Sequence, residues 1–343
     1  MIQNNDDLKS VTVLGDGSWG TTMAIHLAEQ GHRVQIWSPF AAQVREMAAA
    51  RENKRFLSGY PFPETLDPIE DVNSGVEIAD IVICAIPTQF IRESMKRLTA
   101  DFSPQTGIVS LSKGIENGTL LPSTQVIADS TEFKKIGGLW GPSHAEEVAK
   151  KLPTTLVSTS KDMEFAAEVQ KLVSADHLRV YVNDDIVGVE LGGALKNVIA
   201  IAAGILEGLE YGDNAKSALI TRGLAEMARL GVALGAKPVT FMGLAGVGDL
   251  VTTCVSPFGR NRSVGLRIGR GESLDAILKD MTMVAEGVST CRSVYALAQR
   301  EGIEMPISDS VYDVLFNGAS PKEATLRLMR RELKNEMYGF KKL

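Results

Sequence analysis

The chain has 343 residues, of which 44% are hydrophobic and 23% are charged, and it carries a formal net charge of −6. This composition excludes a disordered or low-complexity protein. The acidic balance argues against a nucleic-acid partner, because binding a phosphate backbone requires a basic excess. The length exceeds that of an ordinary single domain, so we expect two domains.

The cysteines and the first residues do not favour export. Cys84, Cys254 and Cys291 are an odd number without paired spacing, and residues 1–7 are polar and acidic, unlike the basic and apolar segments of an export signal. We therefore expect reduced core thiols and a cytoplasmic location.

One stretch approaches the length of a membrane-spanning helix. Residues 187–209 are mostly apolar, but Glu190, Lys196 and Glu207 interrupt them. We predict no membrane span here, and instead a buried helix of a soluble domain.

The first half alternates β-rich runs with helical segments. Residues 9–14 end at a glycine, a helical pattern covers 21–30, and a second β-rich run covers 33–37. Further strands are predicted at residues 81–86, 108–111, 138–140 and 154–158. Short apolar strands separated by helices indicate a parallel sheet covered on both faces, with right-handed crossovers. We therefore predict a doubly wound, Rossmann-type α/β domain.

After residue 185 the sequence becomes helix-like, with almost no β-branched alternation. Helices are predicted at residues 188–209, 215–235, 262–269, 274–279, 289–301, 307–316 and 321–337. The fold class is thus α/β plus all-α. We place a dinucleotide-binding domain at residues 1–187 and an all-helical substrate and catalytic domain at residues 188–343.

A glycine-rich loop joins the first predicted strand to the first helix. Residues 15–20 read GDGSWG, which fits G-x-G-x-x-G. Gly15 makes the tight turn, Gly17 lets the backbone approach a pyrophosphate, and Gly20 permits close helix–strand packing. Free N–H groups at the helix N-terminus then face the phosphates. A purely structural turn is the alternative, but the strand and helix on either side favour dinucleotide binding.

The cofactor is NAD or NADP. The acidic residue expected near the end of the second strand is missing, since residues 37–39 read WSP. A strict NAD preference is therefore not encoded, and NADP is allowed. Arg33, Arg45 and Arg51 are the nearest guanidinium groups, and each is equally well explained as a surface charge.

Two loops at strand ends are candidate ligand sites. Lys113 follows a predicted strand, where ligands bind in open α/β sheets, although an exposed surface lysine is the alternative. Residues 140–145 read WGPSHA and form another glycine turn whose N–H groups suit an anion. His144 has many structural uses, so we assign it no role.

Lys196 lies inside an otherwise apolar, small-residue helix at residues 188–200. Desolvation there lowers the pKa of a lysine toward the working pH, which suits proton transfer in alcohol oxidation and ketone reduction. Asp249 is the candidate carboxylate that opposes this shift and holds the amine. A lysine snorkelling from a helix end is the alternative, and the mid-helix position weakens it. We expect no metal.

Residues 256–263 read SPFGRNRS, a basic loop that leads into a helix. Arg260 offers a bidentate fork and Asn261 amide donors, which together suit a phosphate dianion. An ordinary surface loop is the alternative.

At this point the chain resembles the bacterial-type NAD(P)-dependent sn-glycerol-3-phosphate dehydrogenases along essentially its whole length. The matching segments lie at residues 15–20, 112–114, 141–143, 191–198, 214–216, 221–227, 246–250, 260–262, 284–287 and 305–307. The resemblance implies interconversion of glycerol 3-phosphate and dihydroxyacetone phosphate with NAD(P), and a cytoplasmic supply of glycerol 3-phosphate for phospholipid synthesis.

The resemblance also implies roles for individual residues. Lys196 becomes the proton acceptor, and Lys113 contacts both substrate and nicotinamide. We further predict that Asn197 helps Lys113 to orient the C2 oxygen. The substrate is further surrounded by Gly141, Ser143, Asp249, Gly259, Arg260 and Asn261. The cofactor is further lined by Ser18, Trp19, Ala145, Arg260, Val284 and Glu286.

Three positions depart from the family pattern. Gly259 stands where serine is frequent, so only backbone contact is left there. Pro39 stands where an arginine or histidine often follows the second strand, which leaves the cofactor preference open. Asp16 replaces the usual alanine, and we expect a carboxylate near a pyrophosphate to be tolerated only when it points to solvent.

Two other functions remain open. One is a two-domain dehydrogenase acting on a 3-hydroxy acid or sugar acid, which screening of substrates would separate. The other is a catalytically silent NAD(P) sensor, which has no need for a lysine buried in an apolar helix. The residues also leave a homodimer open.

Overall fold

A computed structural model describes residues 8–336 and residue 338. Its described residues group into two compact units. The first contains the chain up to Ser112 together with Pro122–Ile186, and the second contains Lys113–Leu121 together with the chain from Val187 onward. The short segment Lys113–Leu121 therefore groups with the C-terminal helices, although it lies within residues 1–187, where we predict the nucleotide domain.

The first unit is built on one eight-stranded sheet of order β3-β2-β1-β4-β5-β6-β7-β8. Its strands are β1 Ser10–Leu14, β2 Arg33–Trp37, β3 Leu66–Ile69, β4 Ile81–Cys84, β5 Gly107–Ser110, β6 Lys135–Trp140, β7 Thr154–Ser160 and β8 Leu178–Asn183. All neighbouring strands pair in parallel except β6 and β7, which are antiparallel. The predicted doubly wound α/β fold is confirmed.

Helices connect the strands of this sheet. They are α1 Ser18–Glu29, α2 Ala41–Ala50, α3 Val72–Glu77, α4 Thr88–Met95, α5 Ser123–Ser130, α6 Ala145–Ala149 and α7 Met163–Val173. The central strands β4 and β5 are buried along their whole length. Burial on both faces explains why they read as continuous apolar runs.

The sequence pattern missed both edge strands, β3 and β8. The sequence of β3 is LDPI, and its Pro68 has no N–H for a central ladder. An edge strand tolerates proline, because only one of its sides is paired. β8 reads LRVYVN and alternates buried with exposed residues along its first half, as a strand with one solvated face does.

From Val187 onward, the regular elements of the described residues are all helical, as predicted. Its helices are α8 Ile186–Gly208, α9 Asp213–Ala233, α10 Asp249–Val255, α11 Arg260–Gly269, α12 Leu274–Asp280, α13 Glu286–Glu301, α14 Pro306–Phe316 and α15 Pro321–Met329. A 3₁₀ helix, Pro238–Met242, and a π-helical turn, Leu244–Gly248, join α9 to α10. The helix predicted at residues 321–337 ends at Met329, and residue 337 lies outside the described chain, as do residues 1–7.

Helix α8 forms the centre of the second core. Most of its apolar residues belong to one buried cluster, which includes Leu195, Val198 and Ile201. Within the described chain it is the one helix with the length and composition of a membrane span, and 89% of its most apolar window is buried inside the protein. The helix thus has the burial predicted for a core element.

Two glycines bring α8 and α11 into backbone contact. A Cβ on Gly204 would collide with the carbonyl oxygen of Arg262, and a Cβ on Gly265 would collide with that of Ile201. Larger residues at either position would push the helices apart. The close approach fixes the start of α11, with Arg260 and Asn261, against the middle of α8.

The three cysteines are buried and are not disulfide-bonded to one another, as predicted. Burial raises the pKa of Cys254 to about 12 and also raises that of Cys291. Both thiols therefore stay protonated near neutral pH and are inert as nucleophiles.

Candidate active site

Lys196 lies in the middle of α8, and its side chain is 6% exposed. Its Nζ donates to Asp249 Oδ1 and to Thr253 Oγ1, each at 2.5 Å. Thr253 in turn donates its hydroxyl to the backbone carbonyl of Asp249, at 2.7 Å. Two of the three donor positions of the ammonium group are thus used within the described chain, and a third is left for a ligand oxygen.

Asp249 bridges two lysines. Its Oδ1 accepts from Lys196 and its Oδ2 accepts from Lys113 Nζ at 2.8 Å, and its own side chain is 2% exposed. The π-helical turn before α10 carries the carboxylate to this place. Gly192 of α8 allows that turn to come close, because a Cβ there would collide with the carbonyl of Ala245.

The charges of this cluster shift its pKa values in opposite directions. Burial lowers the pKa of Lys196 to about 8, against the opposing attraction of Asp249. For Asp249, burial alone would raise the pKa, but the ammonium groups of Lys113 and Lys196 bring it below its ordinary value. The carboxylate therefore stays charged near neutral pH, while Lys196 exchanges protons at a pH close to that of the cell.

Asn197 holds the Lys113 segment to α8. Its Nδ2 donates to the backbone carbonyl of Lys113 at 2.9 Å and, more weakly, to Gly193 at 3.4 Å. Asn197 thus orients the main chain from which the Lys113 side chain projects. This position differs from a direct contact with a substrate oxygen, which remains a prediction.

Asn261 joins the starts of α11 and α13. Its Oδ1 accepts from the backbone N–H of Gly287 at 2.9 Å, which fixes the orientation of the amide. The two hydrogens of Nδ2 then have no partner within the described chain and are available to an oxyanion. A Cβ on Gly287 would lie 2.7 Å from Asn261 Oδ1, so glycine is needed for this approach.

Arg260 begins α11 and is exposed. Its Nη1 donates to the carbonyl of Val284 at 2.8 Å, which ties the arginine to the segment that leads into α13, where Glu286 is the first residue. Gly259 precedes it, and a Cβ there would lie 2.9 Å from the carbonyl of Thr253. A serine at position 259 would therefore require a local shift of the backbone.

The glycine loop of the first unit has the geometry of a phosphate cradle. Gly15 has φ +110°, and a Cβ on it would lie 2.8 Å from the carbonyl of Ala85. A Cβ on Gly20 would collide with the carbonyl of Gly15, whereas one on Gly17 would meet no protein atom within 4 Å. Gly17 therefore borders open space in front of α1, where Ser18 and Trp19 form the first turn. The loop fits a dinucleotide pyrophosphate.

The second glycine turn of this unit lies between β6 and α6. Gly141 has φ +142°, and Ser143 Oγ donates to its carbonyl at 3.1 Å. Ala145 begins α6, and its own carbonyl accepts from Thr22 of α1 at 3.4 Å. The turn is well ordered by these contacts, and the ligand roles of the three residues stay predictions.

Asp16 does not point to solvent, so it does not meet the condition set for a carboxylate near a pyrophosphate. The residue is 6% exposed, and its Oδ2 is buried without a hydrogen-bond partner. The direction of this side chain depends on the packing of the loop against Ser38 and is not encoded in the glycine pattern.

Sequence reasoning missed one residue of the lysine cluster, Thr253. It lies four residues after Asp249 and therefore on the same face of α10. That spacing was the available signal. For metals, no group of three or more ligating side chains occurs among residues 8–336 and 338.

The N-terminal model of the NAD-dependent glycerol-3-phosphate dehydrogenase family matches residues 10–166, and the C-terminal model matches residues 185–326. The NAD(P)+ glycerol-3-phosphate dehydrogenase of Chlorobium limicola is 49% identical over 333 residues, which cover 96% of this chain and 99% of the relative. The enzyme of the same name from Geobacillus thermodenitrificans is also 49% identical, covering 96% and 97% of the two chains.

Solved structures agree with these sequence relatives. The crystal structure of glycerol-3-phosphate dehydrogenase from Coxiella burnetii superposes with a TM-score of 0.91 at 38% identity, covering 95% of this chain and all of the other. The predicted resemblance is confirmed over nearly the full length of the protein. The chain therefore belongs to the NAD-dependent glycerol-3-phosphate dehydrogenase family.

Proposed function

We propose that this protein is an oxidoreductase that interconverts sn-glycerol 3-phosphate and dihydroxyacetone phosphate with NAD(P). The observation that carries the proposal is the lysine cluster, in which the buried Lys196 is held by Asp249 and has a pKa of about 8. The relatives are named for glycerol 3-phosphate and NAD(P)+, and dehydrogenation of glycerol 3-phosphate at C2 gives dihydroxyacetone phosphate.

The first unit supplies the cofactor site in this proposal. Its glycine loop leaves open space at Gly17 for a pyrophosphate, and the free N–H groups of α1 attract phosphate charge. Ser18, Trp19 and Ala145 are proposed to line the same cofactor, with Val284, Glu286 and Lys113 from the second unit. A bound nicotinamide accepts or supplies the hydride at C2.

Lys196 is the proposed general acid and base. In ketone reduction its ammonium group donates a proton to the oxygen that develops negative charge at C2. In alcohol oxidation its neutral amine removes the hydroxyl proton. Asp249 and Thr253 hold the amine so that one donor position is directed at the substrate, and the charge of Lys113 stabilises the oxyanion.

Arg260 and Asn261 are proposed to bind the substrate phosphate. Within the described chain the Nδ2 hydrogens of Asn261 have no partner, because its Oδ1 accepts from Gly287, and the guanidinium of Arg260 keeps donors besides the one used by Val284. The N-terminus of α11 adds a favourable dipole. Gly141, Ser143 and Gly259 complete the proposed set of substrate contacts.

The NAD(P) sensor is the weaker alternative, because a sensor gains nothing from a buried lysine with a lowered pKa. A dehydrogenase for other hydroxy acids is disfavoured by the relatives' names, and its substrates lack a phosphate for Arg260. We further propose a cytoplasmic enzyme that supplies glycerol 3-phosphate for phospholipid synthesis, with a homodimer as the assembly to be tested by light scattering.

The deciding experiment follows nicotinamide absorbance with purified protein, dihydroxyacetone phosphate and each reduced cofactor in turn. The proposal expects rapid oxidation of the cofactor with this substrate and little with unphosphorylated dihydroxyacetone. Cofactor binding without turnover of any substrate would favour the sensor. Preferred turnover of an unphosphorylated hydroxy acid would favour the other dehydrogenase.

A further inference from the structure

The buried carboxyl group of Asp16 has no role in the proposed chemistry. Its Oδ2 lacks a partner, while its backbone carbonyl accepts from Asn53 Nδ2 at 2.7 Å and from Thr21 Oγ1 at 3.0 Å. Two hydrogen bonds thus fix the main chain of Asp16, whereas Oδ2 of its side chain has no hydrogen-bond partner within the described chain. A buried carboxylate oxygen without a partner is costly to a fold and is often kept for a ligand.

The side chain lies beside the end of β2. Ser38, the first residue after that strand, hydrogen-bonds with the carboxyl group of Asp16. In dinucleotide-binding sheets an acidic residue at this strand end accepts hydrogen bonds from the adenosine ribose. Strand β2 ends with Trp37 and is followed by Ser38, so the acid is absent from its usual place. Asp16 brings a carboxylate to that place from the neighbouring loop.

Of the arginines named as candidates for an adenosine 2′-phosphate, one lies at the far end of its strand and two pair with acidic side chains. Arg33 begins β2 and therefore lies at the opposite edge of the sheet. Arg45 Nη1 lies 3.2 Å from Glu70 Oε1, and Arg51 Nη1 lies 3.1 Å from Asp67 Oδ1. These three guanidinium groups consequently offer little to a 2′-phosphate.

Two exposed arginines do lie near the strand end. The guanidinium of Arg97 stacks over the ring of Trp37 at 5.7 Å, and that of Arg55 lies over Phe56 at 5.0 Å. Arg55 is close enough to lower the pKa of Asp16, although burial raises it more. Solvent screens an exposed guanidinium strongly, whereas a buried carboxylate acts through a medium of low dielectric constant.

We propose that Asp16 makes this enzyme select NAD(H) over NADP(H), by accepting a hydrogen bond from the adenosine ribose and repelling a 2′-phosphate. The inference rests on the proposed function, since it requires the first unit to bind the cofactor. Repulsion between the carboxylate and a 2′-phosphate weakens binding of NADP(H), and the hydrogen bond to the ribose favours NAD(H).

The test measures dissociation constants for NADH and NADPH by isothermal titration calorimetry, without substrate. We expect the unmodified protein to bind NADH tighter than NADPH by roughly tenfold or more, the scale of a like-charge contact. Asp16→Asn keeps the shape of the side chain and removes its charge. It should tighten NADPH binding and bring the ratio of the two constants close to one.

Two further variants make the outcome specific. Asp129→Asn removes an exposed carboxylate of the same unit, paired with Arg92, and should leave the ratio unchanged. Arg55→Ala keeps Asp16 and should leave NADH the preferred cofactor. Circular dichroism verifies that each variant is folded.

The results distinguish the role of Asp16 in cofactor selection from the proposed function of the protein. Unmodified protein that binds neither cofactor would contradict the proposed function, and the inference with it. Binding of both cofactors with a ratio that Asp16→Asn does not change would overturn the inference alone. A preference for NADPH that disappears in Arg55→Ala would assign the selection to the arginine instead.

Discussion

The Nζ of Lys196 lies 2.5 Å from Oδ1 of Asp249, and both side chains are almost completely buried. A second ammonium group, that of Lys113, holds the other carboxylate oxygen. Burial of the Lys196 ammonium group favours loss of its proton, and the nearby charge of Lys113 adds to this effect, whereas the charge of Asp249 opposes it. The cluster thereby produces a lysine that is close to half protonated near pH 8, a value taken from its shifted pKa.

Replacing Lys196 by methionine tests whether this amine is the acid and base. The variant keeps the helix and the approximate volume, so folding and cofactor affinity should survive. We expect kcat to fall by roughly 10²–10⁴, the usual contribution of general acid–base catalysis. Steady-state kinetics in both directions measures the loss, and near-normal turnover would move the assignment to Lys113.

The pH profile gives a second measure of the same group. Oxidation of glycerol 3-phosphate needs the neutral amine, so kcat/KM should rise as the pH passes through about 8, while ketone reduction should fall over the same range. Asp249→Asn removes the attraction that raises the Lys196 pKa, so both limbs should move to lower pH.

Removing one partner from a buried ion cluster also costs stability, about 3–5 kcal/mol, so denaturant unfolding accompanies the Asp249→Asn profile. Glu226→Gln removes a different buried carboxylate of the second unit and serves as the control. Its kcat/KM should change over the same pH range as that of the unmodified protein. If the pH profile of folded Asp249→Asn matched that of the unmodified protein, Asp249 would not influence the pKa of Lys196.

Local sequence pattern was enough to predict the α/β fold of the first unit, the helical fold of the second unit and the buried position of Lys196. A strand, a glycine loop and a helix adjoin in the chain around residues 15–20, and the apolar neighbours of Lys196 surround it on its own helix. Asp249 contacts Lys196, which is 53 positions away in the chain, and Lys113, which is 136 positions away. No local sequence period encodes contacts of this length. The grouping of Lys113–Leu121 with the helical unit depends on the same tertiary contacts.

The sequence pattern also did not predict side-chain orientation. The fingerprint fixes the glycines of the first loop but not the orientation of Asp16, which follows from packing against Ser38. No strand was predicted at β3, which contains a proline, and only the sheet order shows that this strand lies at an edge, where proline is tolerated.

Arg260→Ala tests the phosphate site. Loss of one charge-assisted hydrogen bond should weaken binding of dihydroxyacetone phosphate by about 1.5–3 kcal/mol, and unphosphorylated dihydroxyacetone should lose little. Inhibition and direct titration measure the two affinities. The control is Arg267→Ala in the same helix, whose guanidinium pairs with Glu272 and Asp280. Equal losses for both compounds would place the phosphate elsewhere.

Gly17→Val tests the cofactor loop. The new side chain meets no protein atom at Cβ, so the protein should fold, but the backbone can no longer approach a pyrophosphate and the cofactor dissociation constant should rise strongly. Gly212→Val is the matched control, because that glycine also has open space and a negative φ. Unchanged cofactor binding in Gly17→Val would overturn the assignment of this loop.

The buried Glu226 predicts a pH-dependent stability that is independent of catalysis. Its carboxyl oxygens accept from the backbone N–H groups of Ile307 and Ser308, at 2.7 and 3.2 Å, at the start of α14. Burial raises its pKa to about 7, against these hydrogen bonds and the charge of Arg229. The folded protein therefore binds more protons than the unfolded chain between pH 4.5 and about 7.

Because the folded pKa is the higher one, the stabilisation is complete below the unfolded pKa and is lost as the pH rises through about 7. One proton changes the free energy of unfolding by at most about 1.4 kcal/mol per pH unit across that window. Glu226→Gln keeps an acceptor for one N–H and cannot titrate, so its unfolding free energy should lack this decline. Denaturant unfolding across the window compares it with the unmodified protein and with Glu323→Gln, an exposed carboxylate in α15. If the unfolding free energies of the unmodified protein and of both variants changed with pH in the same way, Glu226 would be charged across this window in the folded protein.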